Sequence, residues 1–177
     1  MGNIITGIDI GGTHITVCLV DIDQGKLIEE SHVRAHADTS LDKDPIISLW
    51  ADVINEAHEK AGVPVEKIGI AMPGPFDYEN GISYIKGLHK YESLYGINVK
   101  NLLAEKLGIN TNDIRLINDA SAYLLGEMKA GAGKGYNNMV GITLGTGLGS
   151  AAYYNDALHE GDLYCTDFEN GKCEDFI

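Results

Sequence analysis

Several groups of residues have the types and spacing to do chemistry. The first is the run Gly7-Ile-Asp-Ile-Gly-Gly-Thr-His14. Asp9 stands just before the Gly11-Gly12 pair and Thr13 just after it, so a carboxylate, two residues without Cβ and a hydroxyl meet at one turn. Glycine can take positive φ and lets a bulky anion come close to backbone N–H groups. An ordinary surface hairpin would suit Gly-Gly equally. The second group is Asn118-Asp119, placed where an apolar run stops and a helical pattern begins. A carboxylate held there is rigidly positioned and can serve as a general base, which is typically worth about 10²–10⁴-fold in rate. Both residue types are also favoured helix caps. The third is a second glycine turn, Gly145-Thr146-Gly147, inside Leu144–Gly149.

Charge limits what these groups can bind. The 177 residues carry 13 Lys and Arg against 26 Asp and Glu, a net −13, with no basic cluster. Such a surface repels nucleic acid backbones, so nucleic acid is not an expected partner. A phosphate site on this chain must rely on backbone amides and a metal ion more than on lysines. No apolar run approaches the roughly 20 residues of a membrane span, and the N-terminus lacks a basic stretch leading into an apolar one. Three cysteines, an odd number, form no disulfide framework and fit a reducing cytoplasm.

The elements that must position these groups follow from periodicity. Ile8 and Ile10 alternate with polar residues up to Gly11, and Ile15, Val17 and Leu19 alternate with Thr16, Cys18 and Val20. That pattern predicts a β-hairpin with a tight turn. Gln24-Gly25 predicts a second turn, and Lys26 to Ala35 a third antiparallel strand. From Pro45 the apolar residues fall at helical spacing through Ala57, with a glycine C-cap at Gly62. Ile68 to Ala71 is a short apolar run typical of a buried central strand, and Pro73-Gly74-Pro75 ends it. Asn80-Gly81 predicts a turn into Ile82–Ile85, and Val99–Leu107 a short helix closed by Gly108. Ile114–Ile117 reads as a strand, Ala120 to Ala130 as a helix, Met139–Leu144 and Ser150–Tyr154 as a closing hairpin. Strands separated by helices imply parallel neighbours, and the leading hairpins add antiparallel ones. The expected class is therefore α/β with a mixed sheet.

Gly7-Ile-Asp-Ile-Gly-Gly-Thr13 aligns with Gly141-Ile-Thr-Leu-Gly-Thr-Gly147. Both open a strand–turn–strand after a break. This is either a chance match between two common apolar–glycine hairpins or, the favoured expectation, a duplicated lobe whose two glycine hairpins grip a phosphate chain from opposite sides. The expected division is 1–117 for the first lobe and 118–177 for the start of a second. Too few residues follow Gly149 to complete a matching lobe, so the second lobe is either degenerate or truncated, with truncation the favoured expectation. No Gly-x-x-x-x-Gly-Lys-Ser/Thr occurs, which excludes a P-loop. Gly145-x-Gly147-x-x-Ser150 nearly fits the dinucleotide fingerprint, but the residues after it read as strand where that motif must open a helix.

Asp9-Ile-Gly-Gly-Thr13, Met72-Pro-Gly-Pro75, Asn118-Asp119-Ala120 with Gly126-Glu127, and Leu144-Gly-Thr-Gly-Leu-Gly149 occur in that order. Together they resemble the ROK (repressor, open reading frame, kinase) group of sugar kinases, which has the actin-like ATPase fold. The resemblance spans Asp9 to Gly149. It implies a glucokinase-like enzyme that phosphorylates a hexose from ATP with magnesium. Position by position, Asp119 matches the family's catalytic base and Asn118 its neighbour in the sugar site. Pro73, Gly74 and Pro75 match a loop lining the sugar pocket. Asp9, Gly11, Gly12 and Thr13 match the first phosphate hairpin, and Gly145, Thr146 and Gly147 the second. Asp9 would hold Mg²⁺ through water, or would simply form the strand-end turn. A cytoplasmic protein acting on a hexose and a nucleotide is expected, and a homodimer is compatible with that.

The sequence departs from the family at three places. His14 stands where the family usually has lysine, so an imidazole either donates a hydrogen bond there or faces solvent. The family's Glu-x-Gly-His is not recognisable in His159-Glu-Gly-Asp162, and Cys165 and Cys173, with Asp175, make a poor zinc site. Structural zinc is not expected. The family's Asn-Leu and Trp are not matched by Gly87-Leu-His-Lys-Tyr-Glu92, which leaves the sugar's identity open. Repressor members carry an N-terminal winged helix-turn-helix, which this acidic chain does not show before its first hairpin. The rival to a kinase is a non-catalytic sugar-sensing or scaffold protein of the same fold.

Overall fold

The structure, a computed structural model, describes residues 3–144, 148–159, 167–168 and 171–172. The chain divides into two compact units, Met1–Ile117 and Asn118–Ile177.

In the first unit, β1 (Ile4–Ile10), β2 (His14–Asp21) and β3 (Lys26–His36) form an antiparallel meander. β4 (Ile68–Met72) pairs parallel to β1, and β7 (Ile114–Asn118) lies next to β4. The order β3-β2-β1-β4-β7 is the mixed sheet that the hairpins and crossovers predict. Register puts Ile10 opposite Ile15, and Ile8, Ile10, Ile15, Val17 and Leu19 are all buried. A shift of register between Val17 and Leu19 breaks the β2–β3 ladder. Buried Ser31 repairs it: its hydroxyl accepts from the Leu19 N–H at 2.8 Å and donates to the Ile28 carbonyl at 2.6 Å.

Helix α1 (Lys43–Ala61) buries Ile46, Ile47, Trp50, Val53, Ile54 and Ala57 and packs on β2, β3 and α2 (Val99–Leu107). Each such large apolar side chain contributes roughly 1.5–3 kcal/mol when fully buried. The helix starts two residues before Pro45, which the first turn tolerates because its N–H would be unpaired anyway. Gly62 closes it at φ 66°, where the left-handed C-cap favours glycine. The short strands β5 (Phe76–Asp77) and β6 (Ile82–Ser83) form a small hairpin of their own. β6 stops at Ser83 rather than Ile85, because the Ser83 N–H and carbonyl bond to Ile97 and Gly96 and turn the chain aside.

In the second unit, α3 (Asp119–Ala130) packs on β8 (Met139–Leu144) and β9 (Leu148–Tyr154), with Ala120, Leu124 and Ala151 at the contact. β10 (Ala157–His159) pairs antiparallel with β9. β8-β9-β10 is thus a three-stranded meander like β1-β2-β3. β11 (Asp167–Phe168) and β12 (Gly171–Lys172) pair with each other. Among the described residues, no helix is long and apolar enough to cross a membrane.

Candidate active site

The β1–β2 turn is tied down on all sides except one. The Gly11 N–H donates to the His14 carbonyl at 2.9 Å, which closes the hairpin and leaves Gly12 and Thr13 as its tip. The Gly11 carbonyl accepts from the Tyr91 hydroxyl at 2.7 Å, and the Thr13 carbonyl from the Ala37 N–H at 2.8 Å. With both carbonyls engaged, the N–H groups of Gly12 and Thr13 remain, and no described residue accepts from them. Two successive unpaired N–H groups at a turn can receive an anion.

The glycines do not work as the sequence suggests. Neither Gly11 nor Gly12 takes a positive φ. A Cβ at Gly11 would lie 3.6 Å from the His14 carbonyl oxygen, and one at Gly12 would lie 3.8 Å from Lys90 Cδ, both ordinary contacts. Neither backbone conformation nor packing demands glycine here. What the pair supplies is bare backbone beside the open N–H groups.

Tyr91 is the support of this turn. Its ring is fully buried, edge-on to Trp50 at 5.7 Å between centroids. Burial pushes its phenol well above the usual value, and the negative charge of Asp9 adds to the rise. The hydroxyl therefore stays protonated as a donor. Asp9 is exposed at the end of β1. Thr13 Oγ1 lies 2.9 Å from His14 Nδ1, and the His14 ring sits edge-on to His36 at 5.6 Å. His14 is thus engaged with Thr13 and His36 rather than turned simply to water.

Pro73, Gly74 and Pro75 follow β4 in the same unit. Pro73 is buried, Gly74 half-buried and Pro75 exposed, and the Gly74–Pro75 peptide is cis. Tyr78 donates to the Met72 carbonyl at 3.0 Å, and the Tyr84 N–H to the Pro75 carbonyl at 3.0 Å, fixing the loop at both ends.

In the second unit, Asn118 and Asp119 divide the duties that sequence left open between them. Asn118 is the N-cap of α3, its Oδ1 accepting from the Ser121 N–H at 3.2 Å. Asp119 is the first helical residue, half-buried, with Oδ1 accepting from the Ala120 N–H at 2.8 Å. A carboxylate in the first turn is also favoured by the helix dipole. Asp119 is thereby relieved of capping and held by its neighbour's amide. Gly149, at the start of β9, fixes where this helix begins: a Cβ there would strike Thr143 Oγ1 and lie 3.0 Å from Ala120 Cβ. A side chain at position 149 would push α3 away from the hairpin.

Among the described residues, no three metal-ligating side chains come together. Mg²⁺ rarely needs such a set, because it keeps several waters and takes one or two carboxylates plus substrate phosphates. Asp9, one exposed carboxylate beside a turn with open N–H groups, fits that donor pattern. Gly145, Thr146 and Gly147 lie outside the described residues, as do Cys165, Cys173 and Asp175.

Sequence reasoning passed over Tyr91, Lys90 and the packing role of Gly149. Tyr91 and Lys90 sit in a stretch without periodicity. Only the mismatch of Gly87–Glu92 to the family's tryptophan-bearing segment marked that stretch out.

Residues 5–165 match the sequence profile of the ROK family. A glucokinase of Thermotoga maritima is 33% identical over 159 residues, 89% of this chain and 46% of its own length. A xylose repressor of Bacillus spizizenii is 25% identical over 155 residues, 88% of this chain and 38% of its own. A ROK family glucokinase from Streptomyces griseus, solved with glucose and AMPPNP, superposes with a TM-score of 0.77 at 25% identity, over 93% of this chain and 50% of that one. The chain spans about half the length of the curated relatives it matches.

Proposed function

This chain belongs to the ROK family, and from that premise we propose that the whole protein phosphorylates a hexose, glucose or a close relative, from ATP. The observation that carries the reading is the β1–β2 turn, where Gly12 and Thr13 present open N–H groups while the carbonyls around them are tied away. Such a turn binds a phosphate group without needing a cluster of lysines, which suits a chain of net −13.

Each residue then has a task. Gly12 and Thr13 hold nucleotide phosphate, Gly11 closing the hairpin beneath them, and the Gly145-Thr146-Gly147 motif is assigned to the phosphates as well. Asp9 would hold Mg²⁺ through water, and a metal there would supply neutralisation of phosphate charge. Asp119 accepts the proton of the sugar hydroxyl as its oxygen bonds to the γ-phosphorus and the bond to the ADP leaving oxygen breaks. The Ala120 N–H holds the carboxylate at Oδ1, and Oδ2 is the oxygen assigned to the sugar hydroxyl. Asn118 and the exposed Pro75 bind the sugar, with Pro73 and Gly74 shaping the loop behind it.

The similarity to a xylose repressor supports a second reading, a sugar-sensing protein without turnover. An ADP-release assay across hexoses and N-acetylhexosamines, on the intact protein and its Asp119→Asn variant, separates the two. The kinase reading expects sugar-dependent ADP release that falls about 10²–10⁴-fold in the variant. Sugar binding without ADP release would establish the sensor instead, and full activity in the variant would remove Asp119 as base.

A further inference from the structure

The β1–β2 hairpin, Gly7 to Asp21, contains no lysine or arginine. A side-chain ammonium or guanidinium at its tip must therefore come from another part of the chain. We propose that Lys90 is the phosphate-binding cation of the Gly12–Thr13 turn, its ammonium bonding an oxygen of the phosphate that the two N–H groups receive. This rests on the reading of that turn as a phosphate site.

Lys90 Cδ lies 3.8 Å from the place a Gly12 Cβ would occupy, so the lysine stem runs along the bare side of the turn. The ammonium is two bonds of about 1.5 Å beyond Cδ, within reach of any anion seated on the Gly12 N–H. Its backbone is held from both sides. Glu92 Oε1 accepts from the Leu88 N–H at 2.9 Å and the His89 N–H at 3.1 Å, which folds the loop just before Lys90. Backbone bonding from Gly87 first, then from His89 and Leu88, holds the Glu92 carboxyl below its usual range, so the clasp persists at neutral pH. On the other side, the Tyr91 N–H donates to the Thr39 carbonyl at 3.0 Å and its hydroxyl to Gly11 at 2.7 Å. Tyr91 takes φ 54°, a conformation an L-residue adopts only when its surroundings impose it. The residue next to Lys90 is thus bolted to the turn that Lys90 overlies.

Lys90 is half-buried and, among the described residues, has no ion-pair partner. A lysine can lie along a surface only to cover it, with its head in water. That role contributes packing and predicts no effect on phosphate affinity, which is where the two roles part.

The test is an NMR titration of the chain with tripolyphosphate and, separately, AMPPNP, followed at the Gly12 and Thr13 amides. Wild type, Lys90→Gln, Lys90→Arg and Lys86→Gln are compared. Lys86 stands in the same segment, over the Tyr95 ring, so its loss removes equal charge from a different place. The expected result is about tenfold weaker binding of both probes in Lys90→Gln, recovery in Lys90→Arg, and wild-type affinity in Lys86→Gln. Equal affinity of wild type and Lys90→Gln would overturn the proposal and leave the phosphate reading of the turn standing. Equal weakening in Lys86→Gln would also overturn it, because net charge would then explain the effect. Silent Gly12 and Thr13 amides in wild type would sink the phosphate reading itself, and this proposal with it.

Discussion

The Tyr91 hydroxyl donates to the Gly11 carbonyl at 2.7 Å, joining two residues 80 apart in the chain. Through this bond the glycine turn leans on the buried Trp50–Tyr91 pair rather than standing free at a sheet end. Tyr91→Phe keeps the ring and loses only the donor, leaving a carbonyl to find water. The expected cost is about 1 kcal/mol of stability, read by urea denaturation. An unchanged midpoint would mean the turn does not depend on Tyr91.

Gly12→Ala separates fold from ligand. Because Gly12 has no positive φ and its Cβ would meet only Lys90 Cδ at 3.8 Å, the variant is expected to fold with stability within about 1 kcal/mol of wild type. A methyl group beside the open N–H groups is expected to weaken AMPPNP binding, measured by calorimetry. A variant with normal nucleotide affinity would contradict the idea that bare backbone is what this position supplies.

Gly149→Ala acts on the other unit. Its methyl would strike Thr143 Oγ1 and crowd Ala120 Cβ, directly beside Asp119. Strand and helix must part, at an overpacking cost of about 1–3 kcal/mol. Thermal melting is expected to shift down, and activity of the intact protein to fall more than the lost folded fraction explains. If activity tracked folded fraction alone, Gly149 would be a packing residue with no hold on Asp119.

His58 gives the first unit a pH dependence. It is buried, with Nδ1 3.1 Å from the Val63 carbonyl and Nε2 2.8 Å from the Thr6 hydroxyl. A carbonyl only accepts, so the ring proton sits on Nδ1 and Nε2 accepts from Thr6. Burial lowers its pKa below the usual value. The unfolded state therefore takes a proton first as pH falls, and the contribution of neutral His58, complete above about 6.5, is lost toward the folded pKa. Melting temperature is expected to fall by a few degrees between pH 7 and 5 in wild type and by less in His58→Gln. Parallel curves would assign the loss to other groups.

Sequence alone determined the elements and the class. Val99–Leu107 and Met139–Leu144 have the bounds that periodicity predicts, and Gly62 and Gly108 close their helices in the left-handed conformation. Those features depend on alternation and capping within a few residues, which the chain displays locally. The ordered motifs likewise point to the ROK family. Tertiary structure decided what the motifs present. It spends the Gly11 N–H within the hairpin and ties the Gly11 and Thr13 carbonyls to Tyr91 and Ala37, so Gly12 and Thr13 carry the open donors. It also makes Asn118 the cap and frees Asp119 from that duty, and it gives Gly149 its reason in Ala120. Periodicity reports which side of an element is buried. The partners of the Gly11 and Thr13 carbonyls and the neighbour of Gly149 come from tens of residues away along the chain, and no local pattern encodes them.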